Sequence, residues 1–310
     1  MGTSLLFRLA PELRRQFGTF TTRQARDRGV GGPRLTELLR AGEIERLYRS
    51  VYGSLLYPDG ADRRWMAAQL AGGEHTVISH RAAAHLHGLT YTRTGRRPDL
   101  EMSVRRGSRR FSSTVRIHTQ VPFRPSDVVE VGVWRVTSVA WTLSSLAHDL
   151  GAGHTERAVG AAMAAGKLSI EQVAACVPRF RFCAGVQILR DLLHRLSPEL
   201  RLTRSEAERL VLRLVREAGL PEPEVNLRVV DAAGRVRELD LAWPEFGVCV
   251  EIDVHPSHDG TIGRHRDGRR QNDLIDDWRV LRFDDLDLQF DAPTVVGTIR
   301  RSLARAGADI

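Results

Sequence analysis

The stretch Val236-Arg237-Glu238-Leu239-Asp240-Leu241-Ala242-Trp243-Pro244-Glu245-Phe246-Gly247-Val248-Cys249-Val250-Glu251-Ile252-Asp253-Val254 decides the reading of the C-terminal third. Two alternating runs, Val236 to Trp243 and Val248 to Val254, flank Pro244-Glu245-Phe246-Gly247, a composition that turns a chain. A hairpin closed there sets Asp240 opposite Glu251 and Glu238 opposite Asp253. Because side chains alternate, the four acids share one face with Ala242 and Cys249. The other face carries Leu239, Leu241, Val248, Val250, Ile252 and Val254 and reads as a core. Like charges directly opposed destabilise a hairpin, so these acids call for a positive partner. A divalent cation, Mg2+ or Mn2+, held by the hard oxygens of Asp240 and Glu251 meets that need. An acidic face left to water at a sheet edge is the alternative.

Outward from the hairpin, Glu206 to Ala218 is an amphipathic helix with Leu210, Val211 and Leu214 inward, stopped at Gly219-Leu220-Pro221. A strand around Val225 to Val230 follows and is turned by Asp231-Ala232-Ala233-Gly234. Beyond the hairpin come His255 and His258, a helix over Arg264 to Leu274, and Trp278-Arg279-Val280-Leu281-Arg282-Phe283. Arg266, Arg269, Arg270 and Arg282 are cationic partners for nucleic-acid phosphates. Pairing of Asp267 with Arg264 or Arg270 inside the helix is the competing reading. His255 and His258 have no third soft ligand nearby, which argues against zinc there.

In order, the chain presents Glu208 in a helix, Asp240, Glu251-Ile252-Asp253, His255, His258, and the Arg-rich segment that closes on Trp278 to Phe283. This set resembles the PD-(D/E)XK restriction-endonuclease-like superfamily, in the branch similar to very-short-patch repair endonucleases. The resemblance implies Asp240 and Glu251 as metal-binding acids and Glu208 as the helix acid. Asp253 stands where the motif has its lysine. Lys167, the one lysine of the chain, lies outside the motif, so a catalytic lysine is excluded and His255 or His258 would serve as acid or base. The implied activity is metal-dependent hydrolysis of DNA phosphodiesters. The alternative is a non-catalytic regulator in which the nuclease fold is a scaffold.

The N-terminal part reads helix, helix, helix, hairpin. Thr21-Thr22 caps a short helix that Gly29 ends, and Pro33 opens a second whose face is Leu35, Leu38 and Leu39. Two short strands, Ile44 to Arg49 and Ser50 to Gly53, complete a winged helix-turn-helix. Its second helix would enter the major groove with Arg34, Thr36 and Glu37, with Arg40 on the phosphates and Arg46 and Arg49 on the wing. Residues 75–91 read as a helix ending at Gly88. No two of its histidines, His75, His80, His85 and His87, are four apart, so they are assigned structural roles. Strands follow at Leu100 to Val104, Val115 to His118 and Val128 to Val131. The first two are joined by Arg105-Arg106-Gly107-Ser108-Arg109-Arg110, read as a basic hairpin loop suited to phosphates. Residues 138–174 and Phe182 to Leu196 are helical. This two-thirds of the chain resembles the AbiEi-type antitoxins of type IV toxin–antitoxin systems, which implies DNA and a toxin as partners.

Taken whole, the 310 residues read as a multidomain chain of α+β and α/β parts. The winged helix-turn-helix spans 1–70, a mixed α+β extension 71–150, a helical connector 151–203 and a restriction-endonuclease-like α/β core 204–310. The main boundary is expected near 197–203. Net charge is +10 over residues 1–150 and −4 over 201–310, a division that assigns nucleic-acid contact to the first half. Three cysteines without metal-ligand spacing exclude a disulfide framework and point to a reducing cytoplasm. No apolar run is long enough to span a membrane, and Arg8, Glu12, Arg14 and Arg15 argue against a signal peptide.

Overall fold

The computed structural model describes residues 5–89, 97–105, 115–120, 123–180, 183–231, 234–254 and 278–310. Its mixed helices and sheets divide into two units, residues 1–168 and 169–310.

The first unit opens with α1 (Leu5–Arg8), α2 (Ala10–Arg15), β1 (Thr19–Thr21), α3 (Thr22–Asp27), α4 (Gly32–Arg40), β2 (Ile44–Tyr48) and β3 (Val51–Ser54). Thr21 starts α3 reciprocally. Its hydroxyl accepts from Gln24 N at 3.1 Å, while the Gln24 side chain accepts from Thr21 N at 2.8 Å. Gly29, at φ +76°, supplies the left-handed residue after α3. The strands pair antiparallel in the order β1-β3-β2. Leu9, Leu13, Phe20, Leu35, Leu38 and Ile44 close a core beneath them.

Next come α5 (Ala61–Gly72), β4 (Thr76–Ile78), α6 (His80–Leu86), β5 (Leu100–Arg105), β6 (Val115–Gln120), β7 (Val128–Val131), β8 (Trp134–Thr137) and α7 (Val139–Ala164). Buried Arg63 of α5 reaches Glu45 at 2.8 Å and the Tyr57 carbonyl at 2.9 Å. It passes so close to Gly53 that a Cβ there would collide with its guanidinium. The five-stranded sheet has the order β6-β5-β4-β8-β7.

Three expectations change here. Thr76-Val77-Ile78 is a strand rather than the start of a helix, as its β-branched side chains favour. The β5–β6 ladder is parallel, so these strands are not the arms of a hairpin. The long helix breaks at Gly151 (φ +70°, ψ 169°), a conformation only glycine adopts readily.

The second unit contains α8 (Ile170–Cys176), α9 (Val186–Leu196), α10 (Arg204–Glu217), β9 (Glu224–Val230), β10 (Val236–Trp243), β11 (Val248–Asp253), β12 (Arg279–Asp284), α11 (Asp285–Phe290) and α12 (Ala292–Arg305). The sheet order is β12-β11-β10-β9, with β11 and β12 parallel. Ala207, Val211 and Val215 of α10 pack with Leu241, Val250 and Phe283, and with Ile299 of α12. Val211 is buried as expected, while Leu210 and Leu214 are only half-buried and Ala207 and Val215 complete the stripe. The division of the chain lies upstream of 197–203 because α9 is tied to the C-terminal elements. Arg190 pairs with Asp284 at 2.6 Å and His194 with Asp285 at 3.1 Å. No helix among the described residues is long and apolar enough to cross a membrane.

Candidate functional site

Three groups of polar residues stand out. In the first, α4 leaves Arg34, Thr36 and Arg40 exposed while Leu35 and Leu38 are buried. Arg34 pairs with Glu37 one turn on, and the Thr36 hydroxyl donates to the Gly32 carbonyl at 3.1 Å. In the β2–β3 hairpin, Arg46 is exposed with its guanidinium 5.7 Å from the Tyr52 ring centre, and Arg49 is exposed at the turn. Arg105 ends β5. Arg106, Arg109, Arg110, Arg266, Arg270, His255 and His258 lie outside the described residues.

The second group surrounds the hairpin. Leu241 pairs with Val250, Ala242 with Cys249 and Trp243 with Val248, which is the expected register. Asp240 and Glu251 are both buried. The strict alternation fails at one place, because Leu239 packs with Ala242 and Cys249 while Leu241 joins the main core. The β9–β10 ladder skips Asp240, and its counterpart Asn226 has φ +54°. Such a left-handed residue interrupts a regular strand and re-aims its neighbours.

Asp240 accepts from Ile252 N at 2.7 Å through one oxygen and from Arg204 through the other. Arg204 also reaches Glu208 at 3.1 Å and Glu238 at 3.6 Å. A guanidinium from the first turn of α10 thus sits among Asp240, Glu208 and Glu238. Burial opposes the Arg204 charge, but Asp240 and Glu208 outweigh it and raise its pKa. Asp253 is exposed and lies 3.7 Å from Arg282, whose neighbour across the parallel ladder is Glu251. Burial, reinforced by Glu251, pushes the Cys249 thiol up to about 12.

The third group, passed over in the sequence, lies on one face of the five-stranded sheet. Glu101 and Ser103 are alternate residues of β5, and across the ladder Ser103 faces His118 while Glu101 faces Arg116. His80 begins α6 at φ +52°, an uncommon conformation for a non-glycine residue. Its ring stacks on His118 with centres 3.5 Å apart and planes within 14°. His80 Nδ1 lies 2.9 Å from Ser79 Oγ, which accepts from Ser103 Oγ at 2.8 Å. Glu101 accepts from Arg81 N at 2.8 Å and lies 3.4 Å from Arg116, while Arg81 pairs with Asp149 at 3.0 Å. Burial, then His118 and the two guanidiniums, brings His80 down to about 3, and burial also lowers His118. The sequence signal was the period of two in Glu101-Met102-Ser103 and Arg116-Ile117-His118, which helical spacing of the histidines alone does not detect. His85 and His87 do have packing roles. His85 meets Trp65 edge-on, and His87 Nε2 bonds the Thr137 carbonyl at 2.7 Å.

Residues 8–54 match the family model described as transcriptional regulator, AbiEi antitoxin. This span takes in α2, α3, α4 and the β2–β3 hairpin. Over 273 residues the chain is 24% identical to the uncharacterized protein Rv2248 of Mycobacterium tuberculosis strain H37Rv, covering 88% of this chain and 93% of that one. The same figures hold for the uncharacterized protein MT2308 of strain CDC 1551. Among solved structures, the RV2827C protein from Mycobacterium tuberculosis aligns with a TM-score of 0.36 and 16% identity, over 62% of this chain and 82% of that one.

Proposed function

We propose that the chain is a DNA-binding transcriptional regulator of the antitoxin kind, acting in the cytoplasm and using a winged helix-turn-helix within residues 19–54. The observation that carries this reading is the coincidence of the family match at 8–54 with the exposed polar face of α4. α4 is the reading helix, placing Arg34 and Thr36 at base edges and Arg40 at the backbone, with Arg46 and Arg49 on the wing. DNA competes with Glu37 for Arg34, so Glu37 tunes the affinity. A cognate toxin would be the second partner. Fluorescence anisotropy with DNA from upstream of the protein's own coding sequence, across a salt series, tests this. Binding no tighter than to unrelated duplex overturns it.

A second reading, a Mg2+- or Mn2+-dependent endonuclease, is favoured by two buried acids, Asp240 and Glu251, on neighbouring strands of a PD-(D/E)XK-like order. The donor set does not fit the ion as it stands. Both Asp240 oxygens are engaged, and Arg204 already supplies the positive charge that a cation would bring. This favours the scaffold reading of the C-terminal unit. Incubating plasmid with purified protein and either metal separates the two readings. Nicking that Asp240→Ala abolishes establishes the enzyme, and no cleavage alongside tight operator binding leaves the regulator.

A further inference from the structure

We propose that His80, Glu101 and His118 form a binding site for a transition-metal dication of the Zn2+ class. Each offers one ligand atom, and the three atoms lie within 4.8 Å of one another. Two imidazoles and one carboxylate are the donors that zinc takes when three protein ligands leave a fourth position open.

The surroundings are those of a supported site. Ser79, buried and bonded to Ser103, engages His80 Nδ1 and leaves Nε2 as the ligating atom. Glu101 is oriented by the backbone N–H of Arg81 through one oxygen. Among the described residues its other oxygen has only the longer 3.4 Å contact to Arg116, which a dication displaces. His118 Nε2 is buried without a hydrogen-bond partner among the described residues, a costly state that a metal bond removes.

Nearby charges balance, since Arg81 and Arg116 face Glu101 and Asp149. The stacked rings must tilt out of parallel to share one ion. His118 has that freedom, because β6 is the edge strand of the sheet and its side chain is only partly buried. Three elements distant in sequence would thereby be fastened together: the start of α6, the middle of β5 and the edge strand.

The test uses the full chain stripped with EDTA, titrated with Zn2+ by calorimetry and with Co2+ by visible absorption. One site is expected, with the intense visible bands of low-coordinate Co2+. His118→Ala should weaken it by more than about 100-fold and Glu101→Gln by about 10-fold or more. Losing a ligand costs at least what losing its supporting hydrogen bonds does, roughly 10- to 100-fold. The paired variants Asp240→Asn with Glu251→Gln, and His255→Ala with His258→Ala, should retain the site, which separates it from the nuclease-like acids. Circular dichroism checks that His118→Ala is folded, and His118→Gln supplies the reading if it is not. Absence of Zn2+ binding overturns the proposal. So does binding unchanged in the folded His118 variant, or binding lost in either paired variant instead.

Discussion

At residue level Arg204 sets one positive charge among three acids. Its guanidinium joins Glu208, Glu238 and buried Asp240, so removing it leaves like charges facing one another. Arg204→Ala should therefore cost about 1–3 kcal/mol, between the values for a surface pair and a fully buried one. Urea unfolding measures it, and adding Asp240→Asn should not destabilise the Arg204→Ala protein further. If Mg2+ restores the lost stability of Arg204→Ala, the acids accept an ion once the guanidinium is gone; no effect of Mg2+ speaks for the scaffold. The cysteines give a second expectation. The Cys249 thiol is buried and pushed up to about 12, and Cys176 is buried too, while Cys183 is exposed. Iodoacetamide at neutral pH should label Cys183 alone in the native protein, because the thiolate is the nucleophile and access limits it. Mass spectrometry that finds native Cys249 labelled at a comparable rate counts against the described packing. The sequence expectation of a positive partner came from acids placed close together by the hairpin. The source of that charge was not legible, because Arg204 lies 36 residues before Asp240 in the chain and reaches it only when α10 packs on the sheet.

Elements whose signals are local matched their expected places closely. The cap at Thr21, the stop at Gly29, the proline in the first turn of α4 and the turn Pro244 to Gly247 each act within a few residues. The hairpin register followed from them. Elements set by distant pairing did not match. The parallel β5–β6 ladder and the helix break at Gly151 depend on which strand lies alongside and on a single backbone angle. α4 offers the sharpest functional test at this scale. Replacing Arg34 and Arg40 with Ala should weaken duplex binding at every sequence, since charge is lost. It should also make the plot of log K against log salt shallower by about one for each phosphate contact removed. Glu37→Ala should act oppositely and tighten binding by freeing Arg34. Anisotropy across salt reads all three, and an unchanged slope in the double arginine variant would remove α4 from the interface. Thr21→Ala provides the stability counterpart, with a cost of about 1 kcal/mol for the lost cap, measured by urea unfolding.

At the scale of the whole molecule, each of the two units has buried clusters and a net charge of its own. Residues 1–168 carry +11 and residues 169–310 carry −3. The basic unit has its own buried clusters, one around Phe20 and Leu35 and another around Trp65 and Met102, and the acidic unit has one around Val211 and Val250. A unit with a buried cluster of its own is a candidate to fold alone. Phosphate attraction follows net positive charge and falls with salt, so nucleic-acid affinity should travel with the first piece. The expected outcome is that the fragment 1–168 melts cooperatively and binds duplex DNA with the salt dependence of the full chain. The fragment 169–310 should also melt cooperatively but bind DNA no better than an acidic control protein. Thermal circular dichroism and anisotropy on the two fragments read this directly. Tight, salt-sensitive DNA binding by a folded 169–310 fragment would move the interface to the C-terminal unit. In that case the Arg-rich segment around Arg266 and Arg270, rather than α4, becomes the first place to mutate.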